Sequence, residues 1–335
     1  MMTKKAWIAL WAAAGGTALA VSSLTRLHRL RTSPAANPAR DYATAMAQAA
    51  QLQHQDDAAV VGPCRTSVLT HGRRVDRAIV LLHGFTNCPA QFIDLARALH
   101  ADGYNVIVPR YPHHGLARLS PDLARLRAEE LVATAAQAVD IAHGLGEVVT
   151  VMGLSLGGSL ALWTALNRPD VHHVVAVSPA LGVQAISVAR RKLYGNLLMM
   201  WPNFFKWWDE ETQDQVIGPS HAYPRFASHA LAQLLRLGQI VLDEAAHRQP
   251  AVRSLLVVMN PHDEVVDNHV IRQMVSGWRA RGTTVPVYEF DADLELIHDL
   301  IDPAQTLEKV DAVYPILLTL LARQRAADLA SLAQA

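Results

Sequence analysis

The chain has 335 residues, 51% of them apolar, with 30 basic and 30 acidic side chains. Its size and apolar fraction support a large buried core, in the manner of an α/β unit carrying an insertion. Zero net charge removes the usual electrostatic case for nucleic-acid binding. No fixed-period repeat, CxxC pair or Cys/His cluster at zinc spacing occurs, so neither a metal nor an organic cofactor is expected.

The N-terminus places Lys4 and Lys5 ahead of an uncharged run from Ala6 to Leu24. At about 1.5 Å per residue such a run just spans a hydrocarbon core. Ala18-Leu19-Ala20 fits a signal-peptidase site. Arg26, Arg29 and Arg31 compete with the lysines for the positive-inside side. Residues 1–31 are expected to be a single membrane anchor or a cleaved secretion signal, with the remaining chain outside the cytoplasm in both cases. Residues 32–76 read as a polar tether with one short helix and a lead-in to a sheet.

From residue 77 the pattern changes. AIVLLHG, NVIVPRY, VVTVMG, VVAVSP, LLVVMN and PVYEF are short runs rich in β-branched residues. Most are continuously apolar, which suits strands buried on both faces of a parallel sheet. Stretches with helical spacing lie between them, at Ala90–Ala101, Ala128–Gly144, Gly158–Leu166 and Ile271–Arg281. The alternation predicts βαβ units with right-handed crossovers and helices on both faces. One segment, 184–246, shows no convincing strand and is expected to be an inserted helical cap.

In VTVMGLSLGGSLALW, Ser155 stands between Gly153 and Gly157, after a strand and before a helix. A G-x-S-x-G in that context makes a sharp strand-to-helix turn that exposes the serine hydroxyl, and side chains at the flanking positions would collide. A serine is a poor nucleophile without a base. His298, in LELIHDL, is the one histidine beyond the final predicted strand. The acid is expected in the loop after the preceding strand, NPHDEVVDN, where Asp263 is favoured over its rivals Glu264 and Asp267, one of which suits a helix cap. His83-Gly84-Phe85 follows an early strand. The Phe85 and Leu156 N–H groups are the expected oxyanion donors, with His83 in a structural hydrogen-bonding role.

HGF at 83–85, PRYPHHG at 109–115, GLSLGG at 153–158, NPHDEVV at 260–266 and IHD at 297–299 together resemble the α/β-hydrolase superfamily, in its esterase and monoacylglycerol-lipase-like branch. The resemblance covers residues 77–335. It implies an α/β-hydrolase fold: a mostly parallel central sheet, helices on both faces, a helical cap over the site, and a serine hydrolase. Two departures are visible. Asn260 replaces a glycine common before the acid, and His113-His114-Gly115 stands where Gly-His-Gly is usual. Aspartate-nucleophile members of the superfamily are disfavoured by Ser155.

The leading functional expectation is hydrolysis of a small-molecule acyl ester through an acyl-enzyme. A peptidase or thioesterase on the same triad is the alternative, and Asp209, Glu210 and Glu211 in the cap are candidates to hold a substrate amine. A membrane-tethered binding module is disfavoured, because a binder needs no triad. Met199, Met200, Trp201, Phe204 and Phe205 in the cap are candidates for an apolar acyl pocket, alongside Trp207 and Trp208. Finally, Cys64 and Cys88 are the two cysteines. In an oxidising compartment they are expected to form a disulfide beside Phe85; in the cytoplasm they would be free thiols.

Overall fold

The computed structural model describes residues 30–32, 34–184, 191–211 and 218–332. The anchor or signal segment lies outside these up to residue 29. Among the described residues no helix is long and apolar enough to cross a membrane.

Among the described residues, seven strands form the central sheet. In chain order they are β1 (Ser67–Leu69), β2 (Val75–Leu82), β3 (Tyr104–Val108), β4 (Gly146–Leu154), β5 (His173–Val177), β8 (Ser254–Met259) and β9 (Val287–Glu289). Their spatial order is β1-β3-β2-β4-β5-β8-β9. Only β1 runs antiparallel, against β3; every other pairing is parallel. The strands are apolar throughout because both faces are covered. On β2, Ala78, Val80 and Leu82 face one core while Ile79 and Leu81 face the other.

The first core lies under α3 (Ala128–Leu145), α4 (Leu156–Asn167), α6 (Ser228–His247) and α7 (Asn268–Ala280). The second lies under α2 (Ile93–Ala101) and α8 (Val310–Leu332). This is the α/β-hydrolase architecture.

The chain departs from the sequence expectation in two places. Residues 32–76 hold the one short helix expected there, but it packs into the core rather than lying in a tether. This helix is α1 (Tyr42–Gln53), N-capped by Asp41, whose side chain accepts from the Thr44 N–H at 2.7 Å. Ala45, Ala49 and Leu52 are fully or almost fully buried in the first core. Small side chains at i and i+4 let this helix lie close on α3, and a polar average over the segment hides that stripe.

The cap also differs from the expected helical segment over 184–246. It contains α5 (Arg191–Met200) and an antiparallel ribbon of β6 (Phe205–Trp207) with β7 (Arg225–Ala227). Strands of three residues carry too little periodicity to read in sequence. The amphipathic helix α6 belongs to the layer against the sheet, because Leu234, Leu237, Val241 and Ala245 are buried in the first core.

Cys64 and Cys88 are joined by a disulfide, with Cα atoms 5.1 Å apart. It ties the segment ahead of β1 to the loop after β2. A cross-link closing 24 residues of chain stabilises the fold by about 3 kcal/mol in the chain-entropy model. Replacing both cysteines by serine is therefore expected to lower unfolding stability by roughly that amount in denaturant titration. An unchanged midpoint would show that the bridge stabilises nothing.

Candidate active site

Ser155 sits between β4 and α4 with φ +58°, a left-handed conformation that a non-glycine residue adopts at a cost. Its surroundings enforce the turn. The Ser155 N–H donates to the Val177 carbonyl at 3.0 Å, and the Ser155 carbonyl accepts from Ala180 at 3.0 Å. A Cβ at Gly157 would lie 1.8 Å from the Leu82 carbonyl oxygen, and one at Gly153 would lie 2.1 Å from the Gly157 carbonyl oxygen. Backbone occupies both places, so no side chain fits. Ser155 is the residue at the tip, and α4 begins immediately after it.

Asp263 lies in the turn after β8 and His298 in the loop after β9. The His298 Nδ1 is 2.7 Å from one Asp263 carboxylate oxygen and 2.9 Å from the other. Asp263 is further held by the N–H groups of Val265 and Val266, each 3.0 Å from Oδ1. Burial alone would raise the Asp263 pKa, but the facing imidazole and these N–H donors outweigh it and hold the carboxyl below its ordinary value. The converse holds for His298. Burial works against the imidazolium, yet Asp263 outweighs it and the pKa is raised. His298 Nε2 is buried and has no hydrogen-bond partner among the described residues. The rival acid Asp267 caps α7, accepting from the His269 N–H at 3.0 Å.

Asn260 has work that a glycine could not do. Its amide donates to the Leu296 and Ile297 carbonyls at 2.8 and 3.2 Å, which fastens the acid's loop to the histidine's loop.

The loop after β2 lies beside the elbow because Leu82 pairs with Gly153 across the sheet. A Cβ built on Gly84 would lie 3.8 Å from the Ser155 Cβ. Phe85 follows, and Leu156 opens α4, where first-turn N–H groups have no intrahelical acceptor. His83 is buried and accepts the Tyr111 N–H on Nε2 at 3.4 Å, and burial, followed by His114, holds its pKa well below the ordinary histidine value. Ser155, Phe85 and His298 all face one cavity of about 970 Å³.

A model of the alpha/beta hydrolase family matches residues 79–308. The chain belongs to the alpha/beta hydrolase family. A thermostable monoacylglycerol lipase of Bacillus sp. (strain H-257) is 32% identical over 109 residues, which is 32% of this chain and 43% of the lipase. The match thus spans less than half of that relative. A carboxylesterase of Bacillus subtilis (strain 168) is 22% identical over 244 residues, 70% of this chain and 94% of the esterase. Among solved structures, one of the metagenome-derived lipolytic enzymes LipS and LipT superposes with a TM-score of 0.60 at 21% identity, covering 80% of this chain and 99% of that one.

The cavity of this alpha/beta hydrolase draws on the cap differently from the sequence expectation. Of the seven cap residues named for an acyl pocket, Phe204, Trp207 and Trp208 line it, while Met199, Met200, Trp201 and Phe205 do not. Met200 and Trp201 are 77% and 70% exposed. Phe205 lies under the Arg225 guanidinium, 4.4 Å from ring centre to charge, and Met199 takes a hydrogen bond from Gln233 at 3.4 Å. Aromatic density alone does not say which way a short strand faces. The expected Trp208 packs there on Phe226, their rings 4.6 Å apart, and Tyr223, Leu198 and Leu234 complete the wall. Gln91, Asn87 and Asp299 add a polar corner, of which only Asp299 lies in a motif already noted.

Proposed function

We propose that this chain hydrolyses carboxylic esters of apolar acyl groups through a Ser155–His298–Asp263 triad. The observation that carries the reading is the buried His298, bonded to Asp263 through Nδ1 and with Nε2 unengaged, in one cavity with an elbow serine. His298 Nε2 takes the Ser155 proton as Oγ attacks the ester carbonyl. The N–H groups of Phe85 and Leu156 hold the resulting oxyanion. The intermediate collapses as His298 returns the proton to the leaving alcohol. Water then repeats the sequence on the acyl-enzyme and frees the acid. No step needs a metal or an organic cofactor.

The largely apolar wall supports an extended acyl chain, each buried methylene being worth about 0.8 kcal/mol, roughly fourfold in kcat/KM. The Cys64–Cys88 disulfide supports a site of action in an oxidising compartment outside the cytoplasm. Less supports a peptidase. Glu210, one candidate to hold an amine, is 3.4 Å from Lys206 and so already paired.

p-Nitrophenyl esters from acetate to decanoate, assayed beside an aminoacyl anilide, test the reading. The longer esters are expected to exceed acetate in kcat/KM by tenfold or more, with labelling of Ser155 by a fluorophosphonate probe. Preference for the anilide would make the protein a peptidase, and absence of labelling would remove the enzyme reading altogether.

A further inference from the structure

Asp299, the residue after His298, lies in the polar corner of the cavity. Its carboxylate accepts from three side-chain amides: Gln91, Asn87 at 3.0 Å and Gln305 at 2.6 Å. Among the described residues no lysine or arginine pairs with it. Its neighbour Asp302 is wholly buried, accepting from Asn87 at 3.2 Å and lying 2.9 Å from His221 Nε2. Two neighbouring carboxylates that share one histidine and no lysine or arginine are a costly feature to bury. Burial, and after it the Asp302 charge, push the Asp299 pKa up to about 6.

The amide of Gln91 explains what that cost supports. While its Nε2 donates to Asp299, its Oε1 accepts the Gly84 N–H at 2.7 Å. Gly84 immediately precedes Phe85. Asn87 acts in parallel, because it bonds both acids and accepts the Cys88 N–H on its own carbonyl oxygen at 2.8 Å. The general base and the oxyanion loop are thus joined by a short path, from His298 through Asp299 and Gln91 to Gly84 and Phe85. Only an acceptor at 299 keeps Gln91 in the orientation that leaves its carbonyl for Gly84.

We propose that Asp299 is a positioning residue which, through Gln91, fixes the Phe85 oxyanion donor relative to His298. The proposal rests on the ester-hydrolase reading above. An ionised Asp299 accepts all three amides. An asparagine there presents an amide to the Gln91 amide, and flipping Gln91 to suit takes its carbonyl from Gly84. Complete loss of one oxyanion donor costs roughly 10²–10³ in kcat, so displacement of one is expected to cost roughly 10–100-fold.

The test measures kcat and KM across pH for the wild type, Asp299→Asn and Gln91→Met, on an ester the wild type turns over and Ser155→Ala does not. That control establishes the underlying reading independently. The titratable groups facing Asp299 are His298 and Asp302, with His221 behind Asp302. In the wild type, activity rises along a limb above the ordinary histidine value of 6.5, because the His298 pKa is raised and its neutral form is the base. Asp299→Asn removes a negative charge that helps to raise His298, so its limb moves to lower pH.

Positioning predicts a second effect that charge alone cannot produce. On the alkaline plateau, kcat falls roughly 10–100-fold with KM little changed. Gln91→Met gives the same plateau loss with the limb in place. A shifted limb with a wild-type plateau would reduce Asp299 to a charge acting on His298 and overturn the proposal, as would a wild-type kcat in Gln91→Met. Should either single variant fail to fold, Asp299→Asn combined with Gln91→Glu decides the matter, since it exchanges donor and acceptor across the same gap. Recovery of kcat supports the clamp, and a folded double variant without recovery overturns it.

Discussion

Ser155→Ala is expected to lower kcat by roughly 10⁵–10⁶-fold while leaving the fold and its melting temperature unchanged. The two halves of that expectation have separate causes. Catalysis by acyl transfer needs the Oγ to make and break a bond, and alanine has no atom there. Residual turnover would come from the oxyanion donors and the cavity acting on water. The fold, in contrast, draws on the Ser155 backbone, through its N–H to Val177 and its carbonyl to Ala180. Alanine bears the same Cβ in the same left-handed conformation, so the strain at φ +58° is carried over unchanged. Circular dichroism and a thermal melt, run beside the ester assay on one preparation, check both halves. Retention of most activity in a folded variant would mean that another group is the nucleophile.

The features legible in the sequence are those where a single residue type satisfies a hard constraint. Gly153 and Gly157 could be read because backbone atoms fill the space where their side chains would go. The strands could be read because both faces of a parallel sheet are covered, which makes continuous apolar runs. The placement of Asp263 and His298 in the loops after β8 and β9 could be read because each follows a recognisable strand.

Where several residue types would serve, the sequence is silent. α1 packs through alanines that look like filler in a polar stretch. Trp208 lines the cavity while Trp201 is 70% exposed, a difference that composition does not carry. Gln91 and Asp299 lie 208 residues apart and each has an unremarkable local context; only the fold brings their side chains together. Asn260 is intermediate. Its departure from the expected glycine was visible, but its bonds to Leu296 and Ile297 were not.

Asp263→Asn is expected to cost roughly 10⁴-fold in kcat with the structure intact, and the hydrogen bonds around Asp263 say why. The Val265 and Val266 N–H groups both point at Oδ1. An asparagine satisfies them only by turning its carbonyl oxygen to that side. Its NH₂ group then replaces Oδ2, the oxygen 2.7 Å from His298 Nδ1. The NH₂ is then the nearer group to Nδ1, the carbonyl oxygen at 2.9 Å being already shared by two N–H donors, so Nδ1 is favoured as the acceptor and the imidazole proton moves to Nε2. A protonated Nε2 cannot take the proton of Ser155, so the base is held in its inactive tautomer although every atom stays in place. The opposite amide orientation restores the acceptor toward His298 but turns NH₂ toward two N–H donors, a buried mismatch costing about 1–3 kcal/mol. The pH profile separates tautomer from collapse. A folded variant with kcat depressed across the neutral range, and substrate binding retained, is the expected result. Activity within tenfold of the wild type would mean that Asp263 neither orients His298 nor stabilises its cation, and Glu264 would become the acid to test.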